Sequence, residues 1–151
     1  MPHGYGIASS EQGLLPWSWA EERLAASRNY WIVTADDGGR PHAMPVWGLW
    51  LEGAVWFSSD RDSRKARNIA SRPGIVVHLE SGDQAVIVEG RAEEVGDRSA
   101  LEPFARAYKD KYGFRFDLDH PVGLVYRVRP GAVFGWRERD FPLTATRWLF
   151  D

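Results

Sequence analysis

Cysteine is absent from this chain of 151 residues. That excludes disulfide scaffolds and thiolate metal sites, and it makes a cytoplasmic location the expectation. Lysine is scarce: Lys65, Lys109 and Lys111 stand among 19 basic residues, the rest being arginine. No apolar run approaches the ~18 residues that cross a bilayer, so no membrane span is expected. The first residues lack a basic segment followed by an apolar one, so no secretory signal is expected either. The net charge of −2 provides no global basic field for nucleic acid. His3, His42, His78 and His120 never recur at helical ligand spacing, and no local metal motif is present. Phosphate-loop, dinucleotide and nucleophile-elbow signatures are missing as well.

What remains is an ordinary globular composition, 44% hydrophobic and 26% charged. Its length suits a single domain over residues 14–151, preceded by a flexible Gly- and Ser-rich segment over residues 1–13. The eight tryptophans suit a core, a subunit interface or the flank of a flat ligand.

Residues 16–29 read as a helix, with Ala20, Leu24 and Ala25 at helical spacing. Strands follow at 30–35 and 41–51, joined by the turn-forming Asp36-Asp37-Gly38-Gly39, and a third runs over 54–59. Residues 63–71 predict a short helix stopped by Pro73 and Gly74. Strands are expected at 75–80 and 85–95, with Gly90 as a bulge or bend. A helix is expected over 97–111 with Asp97 as its N-cap. Strands at 122–128 and 132–136, separated by a Pro130-Gly131 turn, a charged loop at 137–143 and a last strand at 144–150 complete the chain. Consecutive hairpins with few helices favour an antiparallel sheet that closes on itself. Most connections are too short for parallel crossovers.

The most informative segment is Phe57-Ser58-Ser59-Asp60-Arg61-Asp62-Ser63-Arg64-Lys65-Ala66-Arg67-Asn68-Ile69. A strand ends in hydroxyls and a helix opens on cations. Cations are the wrong sign for a helix start, where free N–H groups already favour an anion. A bound phosphate or carboxylate offsets them. The competing reading is a capped surface helix neutralised by Asp60 and Asp62. In His42-Ala43-Met44-Pro45-Val46-Trp47-Gly48-Leu49-Trp50, alternation separates Met44, Val46 and Gly48 from Ala43, Pro45, Trp47 and Leu49. Gly48 leaves room for something flat; core packing is the alternative. Trp136 before Arg137, and Arg147 before Trp148, suit either a stacked ring system or an aromatic plug with solvated arginines.

The ordered set of Trp56-Phe57-Ser58-Ser59, Asp62-Ser63-Arg64-Lys65-Ala66-Arg67-Asn68-Ile69 and Arg72-Pro73, flanked by the Pro45-Val46-Trp47 and Val86–Ala92 strands, resembles the pyridoxamine 5′-phosphate oxidase-like split barrels. The Phe134-Gly135-Trp136 and Ala145-Thr146-Arg147-Trp148 endings resemble the actinobacterial branch that uses coenzyme F-420. The resemblance implies a mainly β fold: a six-stranded antiparallel split β-barrel with flanking helices. It also implies a homodimer with cofactor sites at the subunit interface. In it Ser58, Ser59, Ser63, Arg64 and Lys65 hold the phosphate end, Val46 and Trp47 lie along the ring system, and Asn68 braces the motif. Trp136 and Arg137 come from the second subunit. The oxidase's Arg-x-x-x-x-Lys strand is replaced here by His42 and Trp47, and its C-terminal Arg-x-His signature is missing. The implied activity is therefore hydride transfer between coenzyme F-420, or FMN, and a small conjugated organic substrate, rather than pyridoxamine-phosphate oxidation. A non-catalytic flavin or haem carrier on the same barrel, with His78 as the axial candidate, is the alternative. A nucleic-acid-binding barrel fits the charge poorly.

Overall fold

Alternating burial along a short strand is the mark of a sheet with one face turned inward. In β1 (Asn29–Ala35) the buried positions are Tyr30, Ile32 and Thr34. The computed structural model describes residues 13–151, so all but one residue of the predicted flexible N-terminal segment lies outside the described part. The elements are α1 (Trp17–Ala26), β1, β2 (Pro41–Leu51), β3 (Ala54–Asp60), α2 (Arg64–Ser71), β4 (Gly74–His78), β5 (Gln84–Glu94), α3 (Arg98–Tyr112), β6 (Gly123–Arg137), α4 (Phe141–Thr144) and β7 (Thr146–Leu149).

Every pairing is antiparallel. The strand order is β3-β2-β1-β4-β5-β6-β7, and β3 also pairs with β6. Six strands therefore close into a barrel, with β7 added outside on β6. The barrel is held by a core in which α1 contributes Ala20 and Leu24, and α2 contributes Ala66 and Ile69. A second apolar cluster lies under α3, where Phe104 and Tyr108 cover Leu49 and Trp56.

Closure depends on a change of partner within β2. Its first half, Pro41 to Trp47, pairs with β1, and its second half, Gly48 to Leu51, pairs with β3. Gly48 sits at the changeover. A Cβ there would lie 2.9 Å from the Trp56 carbonyl oxygen and 3.0 Å from the Tyr30 ring. The room expected beside Gly48 is thus taken by the chain's own Tyr30. Beyond Phe57, β3 leaves β2 and continues against β6, with Ser58 opposite Val125 and Ser59 opposite Leu124. The barrel is split between the first half of β2 and the end of β3.

The predicted break at Pro130-Gly131 is replaced by one 15-residue strand. The turn chemistry is absorbed by a bulge: Glu89 faces Ala132 and Gly90 faces Pro130, leaving Gly131 over. A Cβ on Gly90 would stand 2.4 Å from the Arg129 carbonyl oxygen, so the backbones meet where the side chain is missing. Two other expectations also change. Asp97 precedes α3, but its side chain caps no helix N–H; its carboxylate accepts from the Ser99 hydroxyl. The charged loop after β6 is a 3-10 turn, Glu138–Asp140, running into α4.

The outward face of the sheet is mostly apolar, with His78, Glu89 and Arg147 set into it. One row across it reads Pro45, Trp31, His78, Ile87, Phe134 and Arg147; the next reads Ala43, Val33, Val76, Glu89, Ala132 and Leu149. None of these residues is buried, and Leu149 is 67% exposed.

Candidate functional site

The split places the end of β3 and the start of α2 beside β1 and β2. Ser63 caps α2, its Oγ accepting from the Ala66 amide at 3.1 Å. The Arg67 amide reaches the Ser63 carbonyl at 3.1 Å. The amides of Arg64 and Lys65, at the first two helical positions, have no carbonyl a turn earlier to bond. Ser59, buried at the end of β3, shares a hydrogen bond with Ser63, Oγ to Oγ 2.7 Å. Asn68, one turn on, donates from Nδ2 to Thr34 Oγ1 at 3.0 Å and ties α2 to β1. His42 faces Thr34 across the β1–β2 ladder.

Electrostatics separate the two leading cations of α2. Arg64 is exposed, whereas Lys65 is only 9% exposed. Among the described residues Lys65 makes no ion pair and no hydrogen bond, and burial pulls its pKa below the ordinary lysine value. Its stem is largely covered, while the ammonium keeps a water-accessible edge and no counter-ion. Burial, with Arg64 and Lys65 nearby, also holds the His42 imidazole below its ordinary pKa. The start of α2 thus carries, within a few residues, hydroxyls, free amides and a desolvated lysine with no counter-ion, a donor set suited to an anion.

The inward face of β2 continues from this cradle. His42, Met44 and Val46 lie opposite the buried Thr34, Ile32 and Tyr30. Met44 is nevertheless 47% exposed, because β3 does not cover this half of β2. Val46 is half-buried there. Ser58 is half-buried on β3. Trp47 points the other way: its indole stacks on Tyr112 of α3 with ring centroids 4.7 Å apart, and the Arg28 guanidinium lies 5.2 Å above it.

Trp136 and Arg137 lie far along β6. Its Gly123 pairs with Asp60 beside the cradle, whereas Trp136 pairs with Ala85. The 13 residue steps from Gly123 to Trp136 span roughly 40 Å along the strand. Trp136 packs edge-on against Phe141, and Arg137 is held by Asp140 through two contacts of 2.8 and 3.2 Å. Trp148 packs on Trp17 at 5.4 Å and over Gly135, and Arg147 is exposed. His78 stacks on Trp31 and lies 2.9 Å from the Leu79 carbonyl oxygen through Nδ1.

Within one chain the structure thus joins Ser59 to Ser63 and Asn68 to Thr34, with Arg64 and Lys65 opening α2; Ser58 alternates with Ser59 and faces the other side of β3, and Val46 lies farther along β2 opposite Tyr30. Sequence reasoning missed Thr34 and His42. Counting back from the Asp36–Gly39 turn pairs them, but nothing local marks them as neighbours of α2.

Comparison with known proteins agrees with this architecture. A conserved hypothetical protein from Mycobacterium tuberculosis superposes with a TM-score of 0.69 at 22% identity, covering 92% of this chain and 91% of its own. General Stress Protein 26 from Bacillus anthracis gives 0.69 at 16%, covering 88% and 97%. An F-420 reductase gives 0.59 at 21%, covering 75% and 94%. At these identities the likeness is one of fold. No curated protein matches the chain by sequence. The sequence pattern of the family described as pyridoxamine 5′-phosphate oxidase, however, matches residues 19–137, which include the whole cradle. The fold, the split beside α2 and this match together assign the chain to the pyridoxamine 5′-phosphate oxidase family.

Proposed function

We propose that the protein is an oxidoreductase that binds coenzyme F-420, or alternatively FMN, and passes a hydride between it and a small conjugated organic substrate. The carrying observation is the start of α2: Lys65, a largely covered side chain with no counter-ion among the described residues, stands at the second position of a helix whose first turn offers two free amides and the Ser63 hydroxyl, itself paired with Ser59. This donor set fits the phosphate common to both cofactors. The F-420 reductase among the structural relatives, and the loss of the oxidase's Arg-x-x-x-x-Lys strand, favour the deazaflavin.

Bound there, the cofactor would supply the hydride-exchanging ring atom. The chain's own residues do the rest. Ser59, Ser63 and Lys65 anchor the anionic end, Arg64 closes over it from the solvent side, and Asn68 keeps α2 at its distance from β1. Val46 and Met44, left open by the split, offer an apolar wall that keeps water from a ring system.

The protein acts as a homodimer. The outward apolar rows of the sheet, which run from Ala43 and Pro45 beside the split to Leu149, suit a second copy of the chain. Such a copy also offers a route for Trp136 and Arg137, too far along β6 to reach the cradle of their own chain. The test is titration of the protein with FMN and with coenzyme F-420, followed by tryptophan fluorescence, and light scattering for mass. Tight binding of either cofactor to a dimer, with turnover of the reduced form, is expected. Binding without turnover on a broad substrate panel would instead make it a carrier. Failure of both cofactors to bind would refute the assignment.

A further inference from the structure

Among the described residues one buried side-chain nitrogen or oxygen has no hydrogen-bond partner: Nδ1 of His42. An imidazole nitrogen sealed from water with nothing to bond is a standing cost, and such groups call for a reason. With no acceptor for a proton on Nδ1, the neutral ring carries its proton on Nε2. The ring sits on the inward face of β2 opposite Thr34, the residue that holds Asn68 of α2. It therefore borders the cradle without being part of its hydrogen-bond network.

The charged groups around it come from two elements. Arg64 and Lys65 open α2, and both act against a positive imidazole. In the β1–β2 turn, the Asp36 carboxylate is engaged by the Arg40 and Gly38 amides. Desolvation first, and then the two cations of α2, disfavour a positive His42 while the cradle holds no anion. A dianion placed between them reverses the sign of that field.

We propose that His42 is the proton-coupled arm of the cradle: a dianionic phosphate or sulfate group bound at Ser63 and Lys65 draws a proton onto His42, and the imidazolium then bonds that group. This rests on reading the cradle as an anion site. The proton comes from solvent, and N–H is the one covalent bond formed. Affinity for the dianion thereby rises as the pH falls through the histidine range. Each unit by which the bound anion raises the His42 pKa makes binding about tenfold tighter at the acidic limit.

Inorganic sulfate is the suitable probe, because it stays dianionic where phosphate and FMN titrate. Its Kd is measured on the full chain at about pH 5.5 and about pH 8 at constant ionic strength, on either side of the histidine range. Proton uptake is read by calorimetry in buffers of different ionisation enthalpy. Wild type is expected to bind at least about tenfold tighter at the lower pH, with uptake of close to one proton. His42→Asn, which keeps an N–H donor but does not titrate, is expected to bind equally at both; His42→Gln serves if the first variant melts early. Sulfate binding by wild type without proton uptake, or an unchanged pH slope in the variants, would overturn the role of His42 and leave the cradle standing. If neither sulfate nor FMN binds at either pH, the cradle reading itself falls, and this inference with it.

Discussion

Two lysines in this protein are withdrawn from water, and they differ in what surrounds them. Lys111, in the last turn of α3, donates to the Tyr30 hydroxyl at 3.0 Å, the Gly48 carbonyl at 3.2 Å and the Ala25 carbonyl at 3.4 Å. It also lies over the rings of Tyr30 and Tyr112. Burial lowers its pKa to about 8. Its hydrogen-bonding capacity is nevertheless filled, and one acceptor is at the negative end of α1. Lys65 has the same sign of shift and none of the partners. A buried ammonium whose donors are satisfied is a clip, here joining α3 to β2 and to the end of α1. One whose donors are free is a site. On the proposed function this contrast gives Lys111 a part in stability and Lys65 one in binding, although residue type and pKa direction are the same.

Substitution breaks or sharpens this contrast. Lys65→Met is expected to weaken cofactor binding by about 10- to 100-fold, the loss of a charge-assisted contact worth about 1.5–3 kcal/mol. Its melting temperature should hold or rise, because an unpaired buried charge is removed. Lys111→Ala should show the opposite pattern, a loss of about 2 kcal/mol in denaturant unfolding with cofactor affinity unchanged. If the two variants exchanged phenotypes, the distinction drawn from their partners would be wrong. Ser63→Ala should do some of both: about 1 kcal/mol of stability from the lost cap, and a severalfold weaker cofactor Kd. The smallest effect is on pH. Below about 8 the Lys111 ammonium is charged in the folded and unfolded chain alike, so its burial cost is fully present. Between about 8 and the ordinary 10.5 it is charged in the unfolded chain only. The unfolded state then binds more protons, and this group's contribution to stability grows with pH. Partial solvent screening limits the gain to about 1 kcal/mol, visible as a difference between wild type and Lys111→Met.

Much of this architecture was legible because its signals are local. The hairpin turn at Asp36–Gly39, the start of β2 at Pro41, the short helix after Asp62 and its stop at Pro73 each depend on neighbours within a few residues. Gly90 announced a bulge and the bulge is there. Pro130-Gly131 misled because turn chemistry and bulge chemistry use the same residues. What decides between them is the strand opposite, and that strand is forty residues away. In the candidate site Ser63 and Lys65 could be proposed from the residue pattern and Asn68 from the family resemblance, but the direction of Trp47 depends on Tyr112, and the neighbourhood of His42 on a helix that follows it by more than twenty residues.

By itself the sequence determined the elements and their faces, because backbone preference and two- or three-and-a-half-residue periodicity act over a few residues at a time. Only the tertiary structure decided where β2 changes partner, how β3 closes on β6 and which of the two hidden lysines is left without acceptors. Those outcomes depend on what three distant segments bring, or fail to bring, to the same point, and an unmet hydrogen bond has no signature in the order of the residues.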